Sequence, residues 1–211
     1  MLHITHLPVG MLHTNCYIIR DGASGKTAVI DPGAQTEKIQ KKLEEVGGPV
    51  EMILLTHGHF DHVLAVPALQ KATGAKVWIH RADEFFLSPE QAAHPGYIRE
   101  PYSPPRVDGY LEDGMKIALG ETELTVYNTP GHSRGSCIFV TEDVIFSGDT
   151  LFRGCCGRCD LEGGSFDDML SSLRRIAELD GDYRVLPGHD AATTLEEERR
   201  SNPYMQEALR K

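Results

Sequence analysis

Thr56-His57-Gly58-His59-Phe60-Asp61-His62 places three imidazoles and a carboxylate within six residues, directly after an apolar run that ends at Leu55. Imidazole and carboxylate are the usual donors for a catalytic zinc or iron, and packing alone does not require such a cluster. His57 and His59 project to one side of an extended segment, while the turn that begins a helix swings Asp61 and His62 toward a second point nearby. The spacing therefore suits two metal ions held side by side. Two cations about 3.5 Å apart lower the pKa of a water between them, so that a hydroxide nucleophile exists at neutral pH.

Three further donors complete the set. His132 lies in Thr129-Pro130-Gly131-His132-Ser133, Asp149 in Ser147-Gly148-Asp149-Thr150, and His189 in Leu186-Pro187-Gly188-His189. Each sits just past a segment of strand character. In sandwich and α/β architectures functional loops gather at one edge of the sheet, so these donors can converge on the first cluster. With only imidazole and carboxylate present, ligand type permits zinc, iron or manganese; zinc is the default.

The elements that must position these residues are readable from periodicity. Strands are expected over 2–7, 14–20 and 27–31 as a β-meander, and an amphipathic helix over 36–46 with Ile39, Leu43 and Val46 on one face. The apolar run 50–56 reads as a strand buried on both faces, followed by a helix over 65–72 and a strand over 77–80. Residues 87–106 carry five prolines, a long loop able to roof a site. Strands return at 115–119, 123–128, 136–140 and 144–146, then a helix at 166–179 and a last strand at 183–186.

The chain has 211 residues, enough for one core and expected to form a single domain over 1–211. Its formal charge of −10 is a poor field for a phosphate backbone, which argues against a nucleic-acid partner and against nuclease chemistry. The N-terminus over 1–17 has no basic region and no apolar stretch of signal-peptide length, and no apolar run approaches the ~20 residues that span a bilayer, so a cytoplasmic location without membrane attachment is expected. The five cysteines do not form the spaced framework of a disulfide scaffold, and reduced thiols are expected.

T-H-G-H-F-D-H at 56–62, T-P-G-H-S at 129–133, S-G-D-T-L-F at 147–152 and L-P-G-H at 186–189 resemble the metallo-β-lactamase-fold hydrolases. Within them the sequence resembles the hydroxyacylglutathione hydrolases (glyoxalase II). The resemblance implies an α+β fold, a four-layer αββα sandwich with the site along one edge of its two sheets. It implies that His57, His59 and His132 hold one divalent metal, that Asp61, His62 and His189 hold the other, and that Asp149 bridges both, with Asp61 also the candidate catalytic carboxylate. The implied reaction is cleavage of the thioester of a 2-hydroxyacyl thiol, S-lactoylglutathione-like, by a metal-bridging hydroxide. One metal would stabilise the oxyanion, so no acyl-enzyme is needed.

Typical members of that group carry a C-terminal helical domain that contacts the glutathione moiety. Here only residues 190–211 follow His189, as in the compact bacterial branch, so loops must recognise the substrate. Arg158, in G-C-C-G-R-C-D at 154–160, stands where the larger enzymes place a basic residue near the thiol carrier, and a guanidinium binds carboxylate with two hydrogen bonds. The competing reading pairs Arg158 with Asp160 or Glu162. Cys155, Cys156 and Cys159 lack the further paired cysteines of a structural zinc site and are expected to be small packed side chains. The alternatives on the same scaffold are an iron-dependent persulfide dioxygenase, similar at C-G-R-C-D and at His189-Asp190, and a lactonase. The oligomeric state is left open by the sequence.

Overall fold

A computed structural model describes residues 1–92 and 102–210. β1 (Leu2–Val9), β2 (Thr14–Asp21) and β3 (Thr27–Ile30) form the expected antiparallel meander, with Leu2 opposite Asp21 and Tyr17 opposite Ile30. The chain then crosses over through α1 (Thr36–Val46), which buries Ile39 and Leu43 and stops at Gly47, where φ is +72°. β4 (Val50–Leu54) pairs parallel with β3. α2 (Phe60–Val63), α3 (Val66–Thr73), β5 (Lys76–His80), a 3₁₀ segment (Arg81–Leu87), α4 (Pro89–Ala92) and β6 (Val107–Leu111) complete a sheet ordered β1-β2-β3-β4-β5-β6.

β7 (Lys116–Leu119), β8 (Thr122–Asn128), β9 (Cys137–Val140) and β10 (Val144–Gly148) run antiparallel as the second half begins. A small ribbon, β11 (Leu151–Phe152) with β12 (Cys155–Cys156), precedes α5 (Phe166–Ala177), whose N-terminus is capped by Ser165 accepting from the Asp168 amide. β13 (Arg184–Pro187) and β14 (Thr193–Thr194) close a sheet ordered β14-β13-β10-β9-β8-β7, and α6 (Leu195–Ser201) and α7 (Pro203–Arg210) follow.

Three apolar clusters separate four layers. Ile39, Leu43, Val66 and Leu69 of α1 and α3 pack on Ile18, Val29, Ile53 and Val77 of the first sheet. Tyr17, Ile19, Leu54, Phe139 and Phe146 fill the space between the sheets. Met169, Leu173, Leu195 and Met205 cover the outer face of the second sheet with α5, α6 and α7. The result is the α+β, αββα sandwich expected. Among the described residues no helix is long and apolar enough to cross a membrane.

The departures have local causes. β6 escapes the periodicity because Val107-Asp108-Gly109-Tyr110 reads as a turn; Gly109 is there because the Trp78 ring lies on it, and a Cβ would come within 2.3 Å of that ring. The expected loop over 87–106 contains the end of the 3₁₀ segment and α4, and residues 93–101 lie outside the described residues. α6 begins with Thr194 accepting from the Glu197 amide, an N-cap that the periodicity reading passes over.

Phe139 is fully buried between the sheets. Phe139→Ala should lower stability by about 3–5 kcal/mol in urea unfolding, because the two sheets cannot collapse onto the lost ring. A loss below about 1 kcal/mol would contradict this packing.

Candidate metal centre

The sheets meet at one edge, and the meeting is built from backbone. Where β4 ends, Thr56 O accepts from Cys137 N at the start of β9 at 2.7 Å. Where β13 ends, Pro187 O accepts from the Tyr17 hydroxyl at 2.7 Å and from Asn15 Nδ2 at 2.9 Å, while Gly188 N donates to Gly148 O at 2.8 Å. The segments after β4, β8, β10 and β13 are thereby held against one another. These are the segments that carry the seven donors.

His57, His59 and His132 offer ligand atoms that all lie within 4.8 Å of one another, and Asp61, His62 and His189 form a second such group. Asp149 faces both: its Oδ2 is 3.5 Å from His132 Nε2 and 3.6 Å from His189 Nε2, and its Oδ1 is 3.4 Å from His62 Nε2. His189 Nε2 is 3.1 Å from Asp61 Oδ2. Two donors each about 2 Å from a tetrahedral zinc stand roughly 3.3 Å apart, which is the spacing found here. Among the described residues, His57 Nε2 and Asp149 Oδ1 are buried without a hydrogen-bond partner. An orphaned lone pair at such a point is costly unless a cation meets it, so the residues present fit a pair of divalent ions.

The opposite ring nitrogens are anchored. His62 Nδ1 meets Asp31 Oδ2 at 3.0 Å, His132 Nδ1 meets Arg158 O at 2.8 Å, His189 Nδ1 meets Leu12 O at 3.1 Å, and His57 Nδ1 meets Thr56 Oγ1 at 3.1 Å. Each contact turns the Nε2 of its ring inward. Asp31 belongs to a third donor group with His57 and His62, yet its oxygens are already engaged: Oδ1 accepts from Thr56 N and Oδ2 from Thr56 Oγ1. It orients the ligands from behind. Thr14 Oγ1 donates to Asp61 Oδ2 at 2.9 Å and fixes that carboxylate in the same way.

Close approach is secured by glycine at two points. A Cβ at Gly33 would lie 1.6 Å from Asp61 O, and one at Gly188 would lie 2.2 Å from Asp149 Oδ1. Neither position admits a side chain.

Charge is arranged unequally. Burial, aided by neighbouring imidazoles, pushes His57 well below its usual range, and it pushes His59 down to about 3. Both are neutral and ready to donate lone pairs. For His62 burial works in the same direction, but Asp61, Asp149 and Asp31 outweigh it and hold the ring up to about 10. Asp61 and Asp149 likewise raise His189 against its burial. Burial would raise the Asp61 carboxyl, yet His62 and His189 hold it below the usual carboxylate range.

The structure thus brings together all seven expected metal-site residues. Arg158 stands apart: its guanidinium makes two bonds to Asp160, at 2.7 and 2.8 Å, with both side chains exposed, and its contribution to the centre is the backbone carbonyl that holds His132. All five cysteines are free, with Cys156 buried and Cys155 exposed. Sequence reasoning missed Asp31, Asp83, Thr14 and Glu198. Asp83 is buried and accepts from Gly58 N, Ser133 Oγ and Gly135 N, locking two ligand loops together. Glu198, also buried, accepts from Gly154 N and Asn202 Nδ2 and pins the turn between β11 and β12 to the C-terminal helices.

A family model of the metallo-beta-lactamase superfamily matches residues 9–189. The chain belongs to that superfamily. It is 33% identical to the hydroxyacylglutathione hydrolase GloC of Haemophilus influenzae, a match covering 97% of this chain and 98% of that protein. Among solved structures it superposes on the BLEG-1 B3 metallo-beta-lactamase with a TM-score of 0.87 at 31% identity, covering 97% of this chain and 99% of that one. It superposes on TTHA1623 in a di-iron-bound form with a TM-score of 0.85 at 37% identity, covering 95% and 99%. As a superfamily member the chain is a metal-dependent hydrolase.

Without metal, His62 holds a proton that a cation must displace. Metal affinity should therefore rise with pH, and titrating metal-free protein with zinc at pH 7 should release at least one proton per chain. Calorimetry in buffers of different ionisation enthalpy reads this directly. Uptake with no proton release would contradict the charge arrangement.

Proposed function

We propose that this chain hydrolyses the thioester of a 2-hydroxyacyl thiol, with an S-lactoylglutathione-like substrate. The observation that carries the reading is a centre of seven donors in which Asp149 faces both groups, in a chain whose likeness to GloC extends over nearly the full length of both proteins. His57, His59 and His132 would hold one ion, Asp61, His62 and His189 the other, and Asp149 both; zinc is the default and iron is compatible, as the di-iron form of TTHA1623 illustrates for a related fold.

Two divalent ions bound there supply an activated water at neutral pH and a Lewis acid for a carbonyl oxygen. The chain's own residues do the rest. Asp61 stays ionised and, anchored by Thr14 on one oxygen, accepts a hydrogen bond from the attacking water and orients it toward the acyl carbon. Asp31 and Thr56 keep His57 and His62 from rotating as charge develops, so the site does not reorganise during the reaction. The small-molecule substrate enters from the solvent side, where His189 is the most open of the paired imidazoles, with 21% of its side chain exposed.

The metal-loaded protein should cleave S-lactoylglutathione, followed by loss of thioester absorbance, with kcat/KM of about 10⁴ M⁻¹s⁻¹ or above. The same preparation should consume no oxygen with glutathione persulfide and should leave lactones and β-lactams largely intact. Oxygen uptake without thioester cleavage would replace this reading with a dioxygenase, and a preference for lactones would replace it with a lactonase.

A further inference from the structure

Beside the metal centre lies a cleft of about 250 Å³, close to the small end of ligand pockets at roughly 300 Å³, and its lining includes Phe85, Phe86, Arg134, Glu162 and Gly163. It adjoins the centre directly. The Phe86 ring stands edge-on to His59 with centroids 4.8 Å apart, and Arg134 follows His132 by two residues on the loop that Asp83 clamps at Ser133 and Gly135. A substrate bound at the metals therefore has an arm's reach into this cleft.

Two charges in it are unused. Arg134 and Glu162 are exposed, and among the described residues neither makes a hydrogen bond or ion pair, with each other or with any other group. Arg158, by contrast, is already forked onto Asp160. The Arg134 stem is laid against Gly163, its Cγ 3.3 Å from where a Cβ on that glycine would sit, so a side chain at 163 would push the guanidinium out of place. Opposite charges lining one cleft without neutralising each other form a dipolar site beside an apolar wall.

We propose that this cleft binds the zwitterionic α-amino-acid head of the substrate's thiol carrier. Arg134 takes the carboxylate through a two-pronged hydrogen bond, Glu162 takes the ammonium, and Phe85 and Phe86 pack on the methylenes between the head and the sulfur. This rests on the thioesterase reading above and gives its substrate a recognition element in place of Arg158.

The test uses S-methylglutathione, a thioether that offers no thiol to a metal and undergoes no turnover, with 3-(methylthio)propanoate as a carrier that has a carboxylate and no ammonium. Binding to metal-loaded protein is measured by calorimetry. Arg134→Gln and Glu162→Gln should each weaken S-methylglutathione about tenfold, Glu162→Gln should leave the propanoate within about twofold, and Arg158→Gln should leave both within about twofold. Both charged positions are exposed, so the variants are expected to fold as the parent does. No binding of S-methylglutathione by the parent, or unchanged binding in both Gln variants, would overturn the proposal. Because no bond is cleaved in this assay, loss of the cleft effect is separable from failure of the thioesterase reading, which the S-lactoylglutathione assay tests on its own.

Discussion

Buried lone pairs turned toward one another are the constraint on which this structure depends. His57 Nε2 and Asp149 Oδ1 lie out of water with no hydrogen-bond partner among the described residues, within a ring of other imidazole and carboxylate donors. Left alone, such an arrangement costs free energy at each orphaned atom and invites the side chains to rotate away. The fold prevents that rotation by fixing the far side of nearly every ring, and bound cations would complete the arrangement by meeting the near side. Stability and chemistry are thus set by the same contacts.

Buried carboxylates hold together the loops that carry these rings. Asp31 accepts from Thr56 twice and meets His62, Asp83 joins the loop after β4 to the loop after β8, and Glu198 joins the turn between β11 and β12 to the terminal helices. Each spans elements far apart in sequence. Their effect is to convert loops, ordinarily the mobile part of a sandwich, into a frame rigid enough to hold donors at metal-ligand spacing. Arg158 takes part through its carbonyl, while its side chain is spent on Asp160 at the surface.

The donors themselves were legible in the sequence because metal chemistry needs rare residue types, and each stands directly after a strand whose apolar pattern is plain. The order of layers came from the family resemblance that the motifs carry, while the buried runs ending at Leu55, Phe146 and Leu186 mark the strands that meet at the site. What escaped detection was long-range. Asp31 reads as the first residue of a turn, Asp83 as one charge among several in R-A-D-E, and Glu198 as part of a solvated run, since nothing local distinguishes a carboxylate that will be buried against a distant amide. β6 was hidden by Gly109, which looks like punctuation but serves to seat the Trp78 ring. Arg158 shows the converse, a residue whose motif position suggested a substrate contact and whose guanidinium is paired within its own loop.

The account turns on Asp149 reaching both groups of donors, because only a carboxylate that does so makes one centre out of two triads. Elemental analysis of chelator-free protein tests this directly when parent and Asp149→Ala are compared at equal concentration. The account predicts close to two divalent ions per chain in the parent and depletion of both positions in the variant, since a bridging carboxylate also offsets the mutual repulsion of the cations. A parent that holds only one ion, or a variant that keeps one ion at full occupancy, would contradict it.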